Sequence, residues 1–248
     1  MKGSTGVKML ELQEEGLGGR TFLHPALIWD AEGAVLVDTG MPGSWERIRA
    51  EILAAGVSLD QLKAVILTHQ DFDHIGSLPD ILQELGGRIQ VYAHALDQPY
   101  IEGELPLIKT TPSKMAPMLA ALPEAERQKV LDLFGNPPKA KVDQTLADGD
   151  VFPCFGGIQV IHTPGHTPGH ISLYVKGNKT LIAGDAMVCA EGILHGPVAR
   201  ATLDMDEALC SVKKFLDFEI ESAICYHGGR CDQNVREQIE QLVEPESK

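Results

Sequence analysis

Basic side chains are the first thing this sequence is short of. Its 248 residues carry 21 Lys and Arg against 35 Asp and Glu, a formal net charge of −14. A surface of that sign repels phosphate backbones, which excludes nucleic acid as a main partner and disfavours anionic membranes. Long apolar runs are missing too. No stretch approaches the ~18 residues that a membrane span needs, and the opening MKGSTGVKMLELQEEG puts no apolar core behind its lysines, so no signal peptide is read there. Cysteines are few and odd in number (Cys154, Cys189, Cys210, Cys225 and Cys231), and none forms a Cys-x-x-Cys pair. That spacing gives no disulfide framework, and each is read as a small buried hydrophobe in a reducing compartment. These absences together describe a cytoplasmic protein kept apart by self-repulsion.

What is present is a chain that is 44% hydrophobic, ample for a sizeable core. The stretch 24–40 reads as a hairpin, with strands 26–29 and 34–38 around a turn at Asp30–Gly33. Residues 44–56 read as a helix capped by Ser44 and ended by Gly56. LKAVILT (62–68) is short and almost wholly apolar, as a strand covered on both faces should be. A helix over 78–87 and a strand over 88–94 follow. Residues 95–145 differ, being rich in proline and without strand alternation, and read as a partly helical insertion over one face of the core. Strands resume at 156–163, 170–177 and 179–185, then a helix at 205–218, a strand at 222–229 and a closing helix at 232–244. Hairpins mixed with β–α units imply an α/β protein, two sheets with helices outside, built as one domain over 1–248.

The stretch LTHQDFDHIGS (67–77) crowds His69, Asp71, Asp73 and His74 onto one turn after an apolar strand. One such histidine is usually a satisfied core or cap residue. Four imidazole and carboxylate groups in so short a span are a set of metal ligands. Residues i and i+2 of extended chain point the same way, so His69 and Asp71 can face one ion. Where the chain curls into the next helix, Asp73 and His74 turn toward a neighbouring position, and one turn can serve two ions. HTPGHTPGHIS (162–172) lets His166 project from Pro–Gly corners, LIAGDAM ends a strand with Asp185, and ICYHGG ends one with His227. Sites of layered α/β proteins form at strand ends, so these four ends can converge.

The order VLVDTG, THxxxDH, TPGHTPGH, AGD, YHGG resembles the metallo-β-lactamase fold superfamily of binuclear metal hydrolases, over most of the chain. The resemblance implies a four-layer αββα sandwich. It implies that His69, Asp71 and His166 hold one ion, that Asp73, His74 and His227 hold a second, and that Asp185 bridges both, with Asp38 ordering the turn beneath. It also implies a metal-bridging hydroxide as nucleophile, with Asp73 orienting it and carrying a proton to the leaving group. This sequence departs from the common HxHxDH turn, because Asp71 stands where the second histidine is usual. A third carboxylate lowers the positive charge of the pair and is a harder ligand than imidazole. It leaves manganese or iron open, while zinc is expected first.

Smaller features are weighed with these. Tyr100, in a region where the family places substrate-covering elements, is a candidate substrate contact or a packed side chain. His170 is a candidate for orienting a ligand. His94 reads as structural, and His195 as a loop residue near the entrance. Met115 and Met118 in the insertion read as packing, although an apolar lid would suit a hydrophobic acyl group. With no signal peptide, a secreted β-lactamase is disfavoured. With a chain that ends soon after His227, the extra domains of glyoxalase II or flavin-linked relatives are not expected. The remaining expectation is a hydrolase of small-molecule esters, lactones or thioesters. A phosphodiesterase and a non-catalytic metal-binding sensor are the alternatives, and the oligomeric state is left open.

Overall fold

The computed structural model of the chain describes residues 5–16, 19–152 and 155–244. From the N-terminus come β1 (Gly6–Met9), a hairpin of β2 (Leu12–Gly16) and β3 (Gly19–Leu23), and a second hairpin of β4 (Ala26–Trp29) and β5 (Ala34–Val37). There follow α1 (Trp45–Ala54), β6 (Leu62–Ile66), the single turn α2 (Phe72–Ile75), α3 (Leu78–Leu85) and β7 (Gln90–His94). The proline-rich stretch holds α4 (Gln98–Ile101), α5 (Pro112–Ala120) and α6 (Glu124–Gly135) and ends in β8 (Gln144–Leu146). Then come β9 (Val151–Phe152), β10 (Ile158–His162), β11 (Ile171–Val175), β12 (Thr180–Gly184), β13 (Val188–Ala190) and β14 (Ile193–His195). The chain closes with α7 (Met205–Lys213), β15 (Ser222–Cys225), β16 (Gly229–Cys231) and α8 (Val235–Val243).

In the core strands of the two large sheets, residues alternate so that one face meets the other sheet and the opposite face meets helices. In β5, Ala34 and Leu36 point to one core and Val35 and Val37 to another. The two six-stranded sheets run β1-β4-β5-β6-β7-β8 and β16-β15-β12-β11-β10-β9. Ile28, Val35, Val37 and Ile66 of the first pack between the sheets against Val160, Leu173, Val175 and Ile182 of the second. On the outside of the first sheet, Leu36 and Val65 bury against Ile48 and Ile52 of α1 and Ile81 of α3. On the outside of the second, Leu181 and Ala223 bury against Val212 of α7 and Ile239 of α8. The result is the expected αββα sandwich. β5, β6, β7 and β8 run parallel, and β12 runs parallel to β15, so the carboxyl ends of β5 and β6, and of β12 and β15, open on the same edges. No helix of the described residues is long and apolar enough to cross a membrane.

Several local expectations are corrected. Ser44 precedes α1, but its hydroxyl caps no backbone N–H. It donates instead to Glu14 at 2.6 Å, while its own N–H goes to the Ser77 hydroxyl. The stretch 95–145 is not strand-free, since β8 extends the first sheet. His195 lies on β14, not on a loop, and is exposed. Cys189, Cys225 and Cys231 are buried as expected, whereas Cys210 is exposed on α7 and Cys154 falls outside the described residues. Met115 is buried, and the side chain of Met118 also lies outside the described residues. The β2–β3 and β13–β14 hairpins had no counterpart in the sequence reading.

Gly76 joins α2 to α3 where the turn packs on the loop after β5. A Cβ there would lie 2.3 Å from the Gly40 carbonyl oxygen and 2.4 Å from the Met41 carbonyl carbon, both backbone atoms. Gly76→Ala should therefore destabilise the fold by about 2 kcal/mol or more, as overpacking does. Urea unfolding measures this, and a change under about 0.5 kcal/mol, the range of a neutral surface substitution, would refute the close packing.

Candidate metal centre

The site begins with a buried carboxylate. Asp38 directly follows β5 with a left-handed φ of 64°, and its side chain reaches Thr68 just beyond β6. Its Oδ1 accepts the Thr68 backbone N–H at 2.8 Å, its Oδ2 accepts the Thr68 hydroxyl at 2.9 Å, and the same Oδ2 accepts His74 Nδ1–H at 2.9 Å. The Thr68 hydroxyl has spent its hydrogen on Asp38, so at 2.9 Å from His69 Nδ1 it must accept. Both imidazoles are thereby held with Nδ1 protonated and Nε2 presented to the site.

The other strand ends bring the rest. His166 comes from the loop between β10 and β11, Asp185 follows β12, and His227 follows β15. Two groups of ligand atoms form, each within 4.8 Å of one another. One contains His69, Asp71, His166 and Asp185, and the other Asp73, His74 and His227. Asp185 spans them, with Oδ2 3.2 Å from His166 Nε2 and 3.4 Å from His227 Nε2, and Oδ1 3.3 Å from His74 Nε2. All seven groups singled out as ligands are thus in one place. Asp71, the departure from the common turn, points inward, 3.2 Å from His69 Nε2 and 3.1 Å from His166 Nε2.

The donors fit divalent cations. His69 Nε2, His74 Nε2 and Asp185 Oδ1 are buried and make no hydrogen bond, which buried polar groups rarely tolerate. Separations of 3.1–4.0 Å between these side-chain atoms are within the reach of ligands sharing one ion at about 2.0–2.2 Å. Burial pushes the His69 imidazole toward its neutral form, helped by the neighbouring His74. Burial also resists ionisation at Asp71 and Asp185. It is overcome at Asp71 by His69, His166 and Lys109, and at Asp185 by His227, His74 and His166, so both carboxyls sit well below the usual range. His74 is buried as well, yet Asp38, Asp185 and Asp73 hold it well above an ordinary histidine, and Asp185 and Asp73 raise His227 to about 10.

Three residues that sequence reasoning missed shape the site. Asp97, fully buried, accepts from Gln70 N–H at 3.0 Å, the Thr167 hydroxyl at 2.8 Å and Gly169 N–H at 2.8 Å, clasping the two ligand loops together. Lys109 Nζ lies 2.6 Å from both Asp71 Oδ2 and His166 Nε2. Tyr226 lies under His74, ring centroids 3.7 Å apart, and its hydroxyl donates to the Asp73 carbonyl. His170 accepts the Asp185 N–H on Nε2 and bonds Thr163 through Nδ1, and so steadies the backbone of the carboxylate that lies between the two groups. A cavity of about 490 Å³ opens over the ligands, walled by Leu23, Met41, Phe72, Leu107 and Phe134, with Asp71, Asp73 and His227 exposed to it and Glu14 and Glu15 also lining it. Tyr100 is not among its lining residues. It packs half-buried against the first core. His195 lines it no more than Tyr100 does, and His94 stacks on His162 at 4.1 Å away from the ligands.

The metallo-beta-lactamase superfamily model matches residues 21–227, a span that contains every ligand group. The chain belongs to that superfamily. It is 35% identical over 205 residues to a probable metallo-hydrolase, YflN, of Bacillus subtilis, covering 78% of this chain and 75% of that protein. It is 26% identical over 215 residues to an N-acyl homoserine lactonase of a Bacillus species, covering 84% and 80%. A superfamily protein of Thermus thermophilus, TTHA1429, superposes with a TM-score of 0.70 at 23% identity, over 96% of this chain and 78% of that one, and shares its fold. Membership of the superfamily, together with the cluster, implies divalent metals.

Two outcomes are expected. Asp97→Ala strands buried donors on both ligand loops, which should cost about 3 kcal/mol in urea unfolding, and a loss under about 1 kcal/mol would show that the clasp is dispensable. Metal can bind His74 and His227 only after their raised protons leave, so uptake at that group should release protons and tighten as pH rises toward 10. Calorimetry of metal binding in two buffers of different ionisation enthalpy checks this, and identical heats would contradict it.

Proposed function

We propose that the protein is a two-metal hydrolase of small-molecule lactones, esters or thioesters, with zinc the first expectation and manganese or iron compatible. The observation that carries the reading is the opening of both ligand groups onto one apolar-walled cavity. His69, Asp71 and His166 would hold one ion, Asp73, His74 and His227 the other, and Asp185 both. Such ions, when bound, make a water reactive near neutral pH and polarise the carbonyl under attack.

The chain's own groups then do the rest. Asp73, with its side chain 28% exposed toward the cavity, would orient the attacking water. As the water oxygen bonds the acyl carbon and the bond to the leaving oxygen or sulfur breaks, Asp73 would pass the proton to the leaving group. Leu107 and Phe134, from the proline-rich stretch that would cover a bound substrate, give an acyl group an apolar wall and keep bulk water out. The lactonase relative supports a lactone as the lead. The net charge of −14 supports action in the cytoplasm on a diffusing small molecule, without nucleic acid or membrane.

Hydrolysis of a panel of lactones, thioesters and p-nitrophenyl esters and phosphates, with and without chelator, tests this. Chelator-sensitive cleavage of a carbonyl substrate is expected, and activity confined to phosphodiesters would overturn it. Asp73→Asn should lower turnover about a hundredfold or more, and near-normal turnover in a variant that retains its metal would reject the proton-transfer role. Less than one metal per chain in protein purified without added metal would count against the two-ion centre.

A further inference from the structure

Lys109 is not a stray surface lysine. It follows buried Leu107 on the loop between α4 and α5, and the Ile108 N–H donates to Gln70 Oε1 at 2.9 Å, which anchors this loop beside the ligand turn. The side chain is mostly buried, at 18% exposure, and its ammonium lies 2.6 Å from Asp71 Oδ2 and 2.6 Å from His166 Nε2. An ammonium can only donate, so His166 Nε2 must be the acceptor. The Thr202 hydroxyl donates to the Val198 carbonyl at 2.9 Å, so at 3.5 Å from His166 Nδ1 it can only accept, which places the imidazole proton on Nδ1 and leaves Nε2 as the acceptor. His166 Nε2 and Asp71 Oδ2 are then two acceptors 3.1 Å apart, held together by a shared cation.

An imidazole nitrogen has one lone pair. It can accept from an ammonium or bind a metal, but not both. A carboxylate has lone pairs to spare, so Asp71 can keep Lys109 on one side while facing an ion on the other. We propose that Lys109 is a resident cation of the Asp71 position: its ammonium must leave His166 before an ion can take that nitrogen, which makes this the weaker of the two metal positions. The inference rests on the metal-centre reading above. It also gives Asp71 a reason to be aspartate, since a neutral imidazole at 71 could not bind Lys109 as an ion pair. Lys109 brings the formal charge of Asp71, Asp73 and Asp185 from −3 to −2, the charge of a site with only two carboxylates. Among the described residues, no recorded ion pair of Asp73, His74, His227 or Asp185 involves a lysine or arginine, so the inequality is confined to one side.

The test is metal affinity, not turnover. Chelator-stripped protein is titrated with Zn²⁺ against a chromophoric chelator, as wild type, Lys109→Met, Lys109→Gln and Lys109→Arg, with circular dichroism checking that each variant is folded. The same substitutions in a His227→Ala background, which disables the other group, identify which position responds. Wild type should bind in two unequal steps. Lys109→Met or Lys109→Gln should tighten the weaker step about tenfold to a hundredfold, the range by which neighbours of a metal ligand act. The stronger step should not move, and Lys109→Arg should stay unequal. Two equal steps in wild type, or a weaker step unchanged or loosened by loss of the ammonium, would overturn the inference while leaving the metal centre intact. Failure of every form to take up Zn²⁺ would remove both.

Discussion

A carboxylate buried beneath the site governs the rest. Asp38 is almost wholly removed from water, at 1% exposure, and its charge is tolerable because a backbone N–H, a hydroxyl and an imidazole N–H all point at it. Those three donors are not incidental. Through Thr68 and directly, they fix a proton of His69 and of His74 on Nδ1, so both rings turn Nε2 toward the same small volume. An orientation of two ligands is thus decided by one acid that touches neither ion position.

The packing of the two sheets extends that local order. β5 and β6 run side by side in the first sheet, and β12 and β15 in the second, so their carboxyl ends come to a common edge when the inner faces close. Asp97 then pins the loop of His166 to the turn of His69 through donors from both. Acceptors that would repel one another if left alone are held 3.1–3.4 Å apart by a frame whose stability comes from elsewhere, in three apolar cores. The centre is preorganised in this sense, and the folding energy holds together the ligands that an ion then relieves.

Much of this could be read along the chain. Apolar runs such as LKAVILT mark covered strands because a strand buried on both faces tolerates no polar side chain, and the ligand turn follows directly in sequence. The seven candidate ligands could be picked out because each is local to a strand end with a glycine or a turn beside it. The misreadings share a cause. Ser44 has a capping residue's identity, but Glu14 of a distant hairpin takes its hydroxyl. Tyr100, read either as a substrate contact or as a packed side chain, is found packed against the first core, a choice its local sequence left open. Cys210 is apolar by type and lies on the solvent side of α7. Each depends on what lies opposite in space.

Lys109 and Asp97 show the same limit from the other side. One is a lysine among prolines and the other an aspartate before a short helix, and neither spacing nor periodicity sets them apart. By itself the sequence determined most of the core strands and helices along the chain and the chemical types that line the site, because hydrophobic period and ligand type are local properties. Only the tertiary structure decided that Asp71 faces inward with an ammonium against it, that one buried aspartate clasps two loops, and that the walls above are apolar. Those outcomes follow from charges and surfaces tens of residues apart meeting across a low-dielectric interface, where the partner, not the residue, sets the role.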